Sequence, residues 1–188
     1  MGFYIEVTQT PNRSGFASED IPAGTAVYLS GGLASLADAA EHETIDGVAD
    51  TPRRAEYIAG FRHETSDFVY LADDPDPDNH APLSDNNAHL VPVGGGADGD
   101  YIKLKAMADV DGASAPDIGD GDVVGFIDTT VGDGVPDGAG HIVQEGYTDA
   151  AANEYSREND NFVAVGRVYN DEATEFGQPV RVVVNQKL

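Results

Sequence analysis

Apolar and polar residues alternate along this chain in short runs, and glycine, proline or aspartate ends nearly every run. Alternation of period two over four to eight residues is the pattern of a half-buried strand. It is clearest at 162–169 and 179–184, which predict a terminal β-hairpin around the polar connection 170–177. Further strands are predicted at 25–29, ended by Gly31-Gly32, at 44–49, at 68–71 and at 123–127 behind Asp120-Gly121-Asp122. Runs 90–93 and 101–106 flank the glycine-rich stretch 94–99 and read as a hairpin-like pair. Helical signals are confined to brief stretches: the Ala-rich 33–43, a short helix or an irregular ribbon, 51–62 behind Thr51-Pro52, and 148–158 with Ala150, Ala151, Ala152 and Tyr155. The stretch 73–82, with three prolines and a string of aspartates, predicts an exposed loop, and 132–140 a long connection.

Together these signals predict a mainly β protein, a short-stranded sandwich- or barrel-like lobe or two related lobes, with short helical excursions. The organisation that fits is an N-terminal arm at 1–17, a first β-rich lobe at 18–110 and a second at 111–188 ending in the hairpin; a single domain is the alternative. A resemblance between 20–27 and 117–124, each an acidic turn leading into a strand, is a slight hint of two related lobes.

Charge changes this picture more than any motif does. Thirty-four Asp and Glu face ten Lys and Arg, for a formal net charge of −24. Such a charge opposes compaction by self-repulsion. At about 1 M salt the Debye length falls to ~3 Å and most of that repulsion between surface carboxylates is screened. Because 40% of the residues are apolar, the chain is no solvating acidic tail. In this respect it resembles the proteins of halophilic archaea and of the viruses that infect them.

The same imbalance weakens every acidic cluster as a metal signal. Asp73, Asp74, Asp76 and Asp78, the pair Asp109 and Asp111, and the group Asp117, Asp120 and Asp122 invite a Ca²⁺ reading, yet none completes an EF-hand loop. No cofactor is expected. His42, His63, His80, His89 and His141 lack metal-ligand spacing and are expected at the surface or as caps. There is no cysteine, no Gly-x-Ser-x-Gly elbow and no phosphate loop, so no enzyme is expected. The few, scattered cations argue against nucleic acid, and no stretch approaches the ~20 apolar residues of a membrane span.

Four segments carry a family resemblance: Ile21-Pro22-Ala23-Gly24-Thr25-Ala26-Val27-Tyr28-Leu29, Ile45-Asp46-Gly47-Val48-Ala49, Val163-Ala164-Val165-Gly166-Arg167-Val168-Tyr169 and Pro179-Val180-Arg181-Val182-Val183-Val184. They resemble the small β-rich capsid decoration, or head-stabilising, proteins of tailed viruses, over about a third of the chain. The resemblance implies a homotrimer on the exterior of a virion shell, with the major capsid protein as partner. Its alternatives are a tail-tube or turret subunit and a haloarchaeal cell-surface binding module. Val163, Val165, Val180, Val182 and Val184, at strand alternation in the hairpin, are the candidate subunit seam; filling the subunit's own core is the other role open to them.

Overall fold

The computed structural model describes residues 4–9, 11–50, 68–73, 88–106, 117–131 and 138–188. Within them the chain is built of strands: β1 (Ile5–Val7), β2 (Arg13–Ala17), β3 (Ile21–Pro22), β4 (Ala26–Ser30), β5 (Leu33–Leu36), β6 (Gly47–Ala49), β7 (Val69–Tyr70), β8 (Leu90–Gly95), β9 (Tyr101–Lys105), β10 (Val123–Ile127), β11 (Val143–Gln144), β12 (Tyr147–Thr148), β13 (Glu154–Tyr155), β14 (Phe162–Val168) and β15 (Pro179–Val184). The mainly β expectation is correct. Its helical excursions shrink, among the described residues, to a single three-residue 3-10 turn at Arg157–Asn159.

Two larger units form. Strands β2-β5-β4-β6-β8 close into a small barrel, and β1-β9-β15-β14-β10-β11 make a six-stranded antiparallel sheet. β3 pairs with β7, and β12 with β13. One apolar core joins barrel and sheet: Val27, Val48, Val91 and Val93 from the barrel meet Ile102, Leu104, Phe126, Val165, Val180 and Val182 from the sheet. The sheet draws strands from all three expected segments, since β1 and β9 precede residue 111. The two segments that resemble each other, 20–27 and 117–124, lead into different units, β4 of the barrel and β10 of the sheet.

Several local readings need correction. The terminal hairpin forms as β14 and β15, paired from Gly166↔Val184 to Val168↔Val182. Strands β8 and β9 are not a hairpin: β8 pairs with β2 and β6, whereas β9 pairs with β1 and β15. The glycines between them carry the chain from barrel to sheet. Residues 33–36 form β5 instead of a helix, because Gly31 and Gly32, at φ 59° and 86°, close a two-residue turn that sends the chain back along β4. At 148–158 the helical spacing loses to Asp149, whose Oδ1 accepts the N–H groups of Ala151 and Asn153 at 2.9 and 2.8 Å. An aspartate that satisfies its own neighbours' N–H groups favours a turn over a helix. The expected helix at 51–62, most of the loop at 73–82 and most of the connection at 132–140 lie outside the described residues.

The aspartates have a structural role. Eleven of them, among the described residues, accept at least one backbone N–H, and among the glutamates Glu19 and Glu145 do so. The short side chain reaches the backbone of a nearby turn, which a glutamate's extra methylene makes harder. Asp100, fully buried, takes the N–H groups of Gln9 and Ala97 at 2.7 and 3.1 Å and so fastens the segment after β1 to the turn before β9. Asp50, also buried, receives Tyr4 N–H at 3.0 Å, and its carbonyl takes the Tyr70 hydroxyl.

Candidate interaction surfaces

The side chains of a sheet divide between two faces, so each cross-strand row belongs to one of them. Val124 and Phe126 of β10 enter the main core from the inner face. Val123, Gly125 and Ile127 therefore lie on the outer face. A register shift between Val124 and Gly125 lets Gly166 and Ala164 face successive residues of β10, leaving Val165 as the extra residue of a bulge. Strand β14 thus sends Phe162 and Ala164 outward while Val165 and Val168 remain in the main core.

Part of the outer face is covered by the chain itself. Ile127, Val143, Tyr147, Tyr155, Phe162 and Ala164 form a second, smaller core under the segment that carries β12 and β13. Gly125 makes the close approach possible, since a Cβ there would lie 2.1 Å from the Val163 carbonyl oxygen and 2.7 Å from the Phe162 ring. The Tyr155 hydroxyl donates to the Val131 carbonyl and to Asp149. Burial and the neighbouring carboxylate push the Tyr155 and Tyr147 phenols up from their usual range. Glu145 closes the margin, clamped by Arg157 through two hydrogen bonds of 2.7 Å.

The rest of the face is open. Registers Val7↔Tyr101, Tyr101↔Val183, Val183↔Arg167 and Arg167↔Val123 define one row across five strands. The next row holds Lys103 beside Arg181, with Tyr169 donating its N–H to the Arg181 carbonyl. Val7 is 54% and Tyr169 52% exposed. The Tyr169 ring meets Tyr101 edge-on, with centroids 5.5 Å apart. Glu6 bridges Arg181 and Lys103, and the Arg181 hydrogen bond holds its carboxyl below the usual range.

Arg167 differs from the other cations. Arg13, Lys103, Arg157, Arg181 and Lys187 each have a carboxylate partner. Arg167 is exposed, makes one hydrogen bond, Nη1 to the Gly121 carbonyl at 3.0 Å, and has no ion pair among the described residues. The Glu145 carboxylate lies within Coulombic reach of it.

A second open row lies on the barrel. Phe16 faces Leu33 on one side and Leu90 on the other. Leu33 is 50% and Leu90 37% exposed, with Phe16 half-buried between them. Beside this row stand Glu19, which accepts Leu36 N–H at 2.9 Å, and Asp20, which accepts Ala72 N–H at 3.2 Å.

The residues singled out in the sequence lie elsewhere. Val165, Val180, Val182 and Val184 are buried in the main core, with half-buried Val163 packed against it. These side chains are engaged within the chain rather than displayed to a second copy. Asp120 and Asp122 accept the N–H groups of Asn170 and Gly119. No group of three or more His, Asp or Glu able to hold a metal ion occurs among the described residues. Asp74, Asp76, Asp78, Asp109, Asp111, His63 and His80 lie outside the described residues. His89 and His141 are buried instead of at the surface, and both His89 and His42 cap backbone groups, accepting Leu71 N–H at 3.0 Å and Asp38 N–H at 3.2 Å. No helix among the described residues is long and apolar enough to cross a membrane. No known family matches the chain, and no curated protein or solved structure is similar to it.

Proposed function

We propose that this chain is a structural protein that works by assembling with other proteins in a high-salt medium, and specifically a decoration-type subunit on the outside of a virion shell. The observation that carries the assembly reading is the open half of the outer sheet face. It combines exposed Val7 and Tyr169 with Tyr101 and an exposed Arg167 on the sheet. Tyrosine and arginine are the side chains that most often dominate protein–protein contacts. A contiguous exposed apolar patch on a folded chain marks an interaction site. The net charge of −24 supports the high-salt part, because two such surfaces approach only when screening removes most of the repulsion. The four-segment resemblance supports the virion part, with the major capsid protein as partner.

The test is retention on virus particles purified from high-salt culture and dialysed stepwise from molar to millimolar salt, with antibody against the chain and a divalent-free arm. The expected result is label over the shell exterior that falls away as salt falls. Label on tails or vertices would replace decoration by a tail-tube or turret role. Label on the host envelope would support the cell-surface module instead. Occupancy that stayed flat or rose as salt fell would overturn the proposal.

A further inference from the structure

Of the nine asparagines in this chain, Asn12 alone has a Ser or Thr two residues on, in Asn12-Arg13-Ser14. With a residue other than proline in the middle, that triplet is the acceptor sequence for N-linked glycosylation. In the fold it leads into β2 at the barrel surface, with Asn12 and Ser14 both exposed. Neither side chain makes a hydrogen bond among the described residues. Arg13 between them is held aside by Asp46, at 2.5 Å. Gly94 leaves room for the Asn12 carboxamide, since a Cβ there would lie 2.6 Å from its oxygen.

A second observation lies on the same strand. Residues two apart on a strand share a face, so Ser14 and Phe16 lie on the outer side while Gly15 and Ala17 are buried. Ser14 faces Pro92, and Phe16 faces Leu33 and Leu90, which are 50% and 37% exposed. At ~3.3 Å per residue, Phe16 stands about 13 Å along the chain from Asn12. The acceptor asparagine is therefore at one end of an exposed apolar row, and exposed apolar patches ordinarily mark a place that something covers. We propose that Asn12 carries an N-linked glycan, which lies past Ser14 and Pro92 onto the Leu33–Phe16–Leu90 row. A sugar ring has a C–H face that packs on such a row and hydroxyls that keep the far side wetted. The donor is a lipid-linked sugar phosphate. A bond forms between Asn12 Nδ2 and the anomeric carbon, the bond from that carbon to the phosphate oxygen breaks, and the phosphate leaves with the electron pair. The amide proton passes to a base of the transferase. The proposal concerns the barrel and does not depend on what the sheet face binds.

The experiment uses the full chain recovered from its native high-salt source, particles and envelope fractions alike. Intact mass and fragmentation of the peptide holding Asn12 are compared with those of the chain made in a bacterium that lacks N-glycosylation. The native chain is expected to be heavier than its sequence by whole sugars, all of them on Asn12. Made in the same source, Asn12→Gln and Ser14→Ala should return to the sequence mass, and Ser14→Thr should keep the sugars. Covering is read by binding of an apolar fluorescent dye in molar salt. The bare bacterial chain should bind dye, and both the native chain and bare Leu33→Ser with Leu90→Ser should lose most of that signal. A native chain at its sequence mass, sugars on another residue, or sugars that survive Ser14→Ala would each overturn the proposal. Equal dye binding by native and bare chain would overturn the placement of the glycan on the row. The fraction in which the chain is found tests the virion reading separately, whatever its mass.

Discussion

The outer face of the six-stranded sheet has two halves built on the same strands. Beneath β12 and β13, Phe162, Ile127, Tyr147 and Tyr155 are almost wholly buried, Asp149 takes the Tyr155 hydroxyl and Arg157 is paired with Glu145. Across Arg167, which makes no ion pair among the described residues, the same face exposes Val7 and Tyr169. Strand formation therefore does not decide which half is core. Coverage decides it, and coverage depends on where residues 143–161 fold back. One half is stabilised by the chain itself, and the other is the surface we propose for a partner.

The largest effect should come from the covered half. Phe162→Ala, at a buried ring against Gly125, is expected to cost about 3–5 kcal/mol in denaturant unfolding at molar salt. A loss under 1 kcal/mol would mean that this half is not a core.

Next comes the acidic fastening at the margin of the open half. Asp100→Ala leaves the N–H groups of Gln9 and Ala97 without their carboxylate and should cost about 1–3 kcal/mol, read in the same assay. A surface carboxylate present only for salt tolerance would cost almost nothing, so this variant separates the two roles of aspartate.

The patch itself should be nearly silent in the dilute chain. Val7→Ser and Tyr169→Ser are expected to stay within about 0.5 kcal/mol of wild type in unfolding at micromolar concentration. A large loss would show that these side chains pack within the fold.

Smaller still is the acid response that the two halves share. Glu6 in the open half and Glu145 in the covered half are both held below their ordinary value of 4.5 by arginine hydrogen bonds. A depressed folded-state value contributes stability above the unfolded-state value, and that contribution is lost as pH falls through the folded one. Below pH 4.5, melting temperature should therefore fall less steeply in Glu6→Gln and Glu145→Gln than in wild type; equal slopes would contradict both assignments.

Much of the strand content was legible, because period-two alternation bounded by Gly and Asp marks β4, β10, β14 and β15 directly. Strand partnership was not. Runs 90–93 and 101–106 carry the pattern of a hairpin, and only their pairing into different units, β8 in the barrel and β9 in the sheet, separates them. The hairpin valines were legible as a buried stripe, but alternation does not say whether the burial is within one chain or between two. The bulge at Val165 is equally invisible, yet it determines that Arg167 shares the outer face with Phe162 and Ala164 while Val168 turns inward with Val165. Charge was misleading at the level of single residues. A surplus of acid reads as solvated surface, whereas many aspartates answer particular N–H groups in the turns. Arg167 escaped notice because its exposure on the open face leaves no trace in sequence. Its one signal was position, in register with Val183 and Tyr101, and that requires the strand pairing.

The central claim is that one half of this face is core and the other half contact surface. Tyrosine nitration in molar salt, read by mass spectrometry at low and high protein concentration, tests it on four side chains of the same sheet region. Tyr147 and Tyr155, buried with raised phenol pKa values, should resist modification at every concentration. Tyr169 and Tyr101 should react in the dilute chain and become protected as it assembles. Equal reaction of all four in the folded chain, or Tyr169 still fully reactive in the assembled state, would contradict the account.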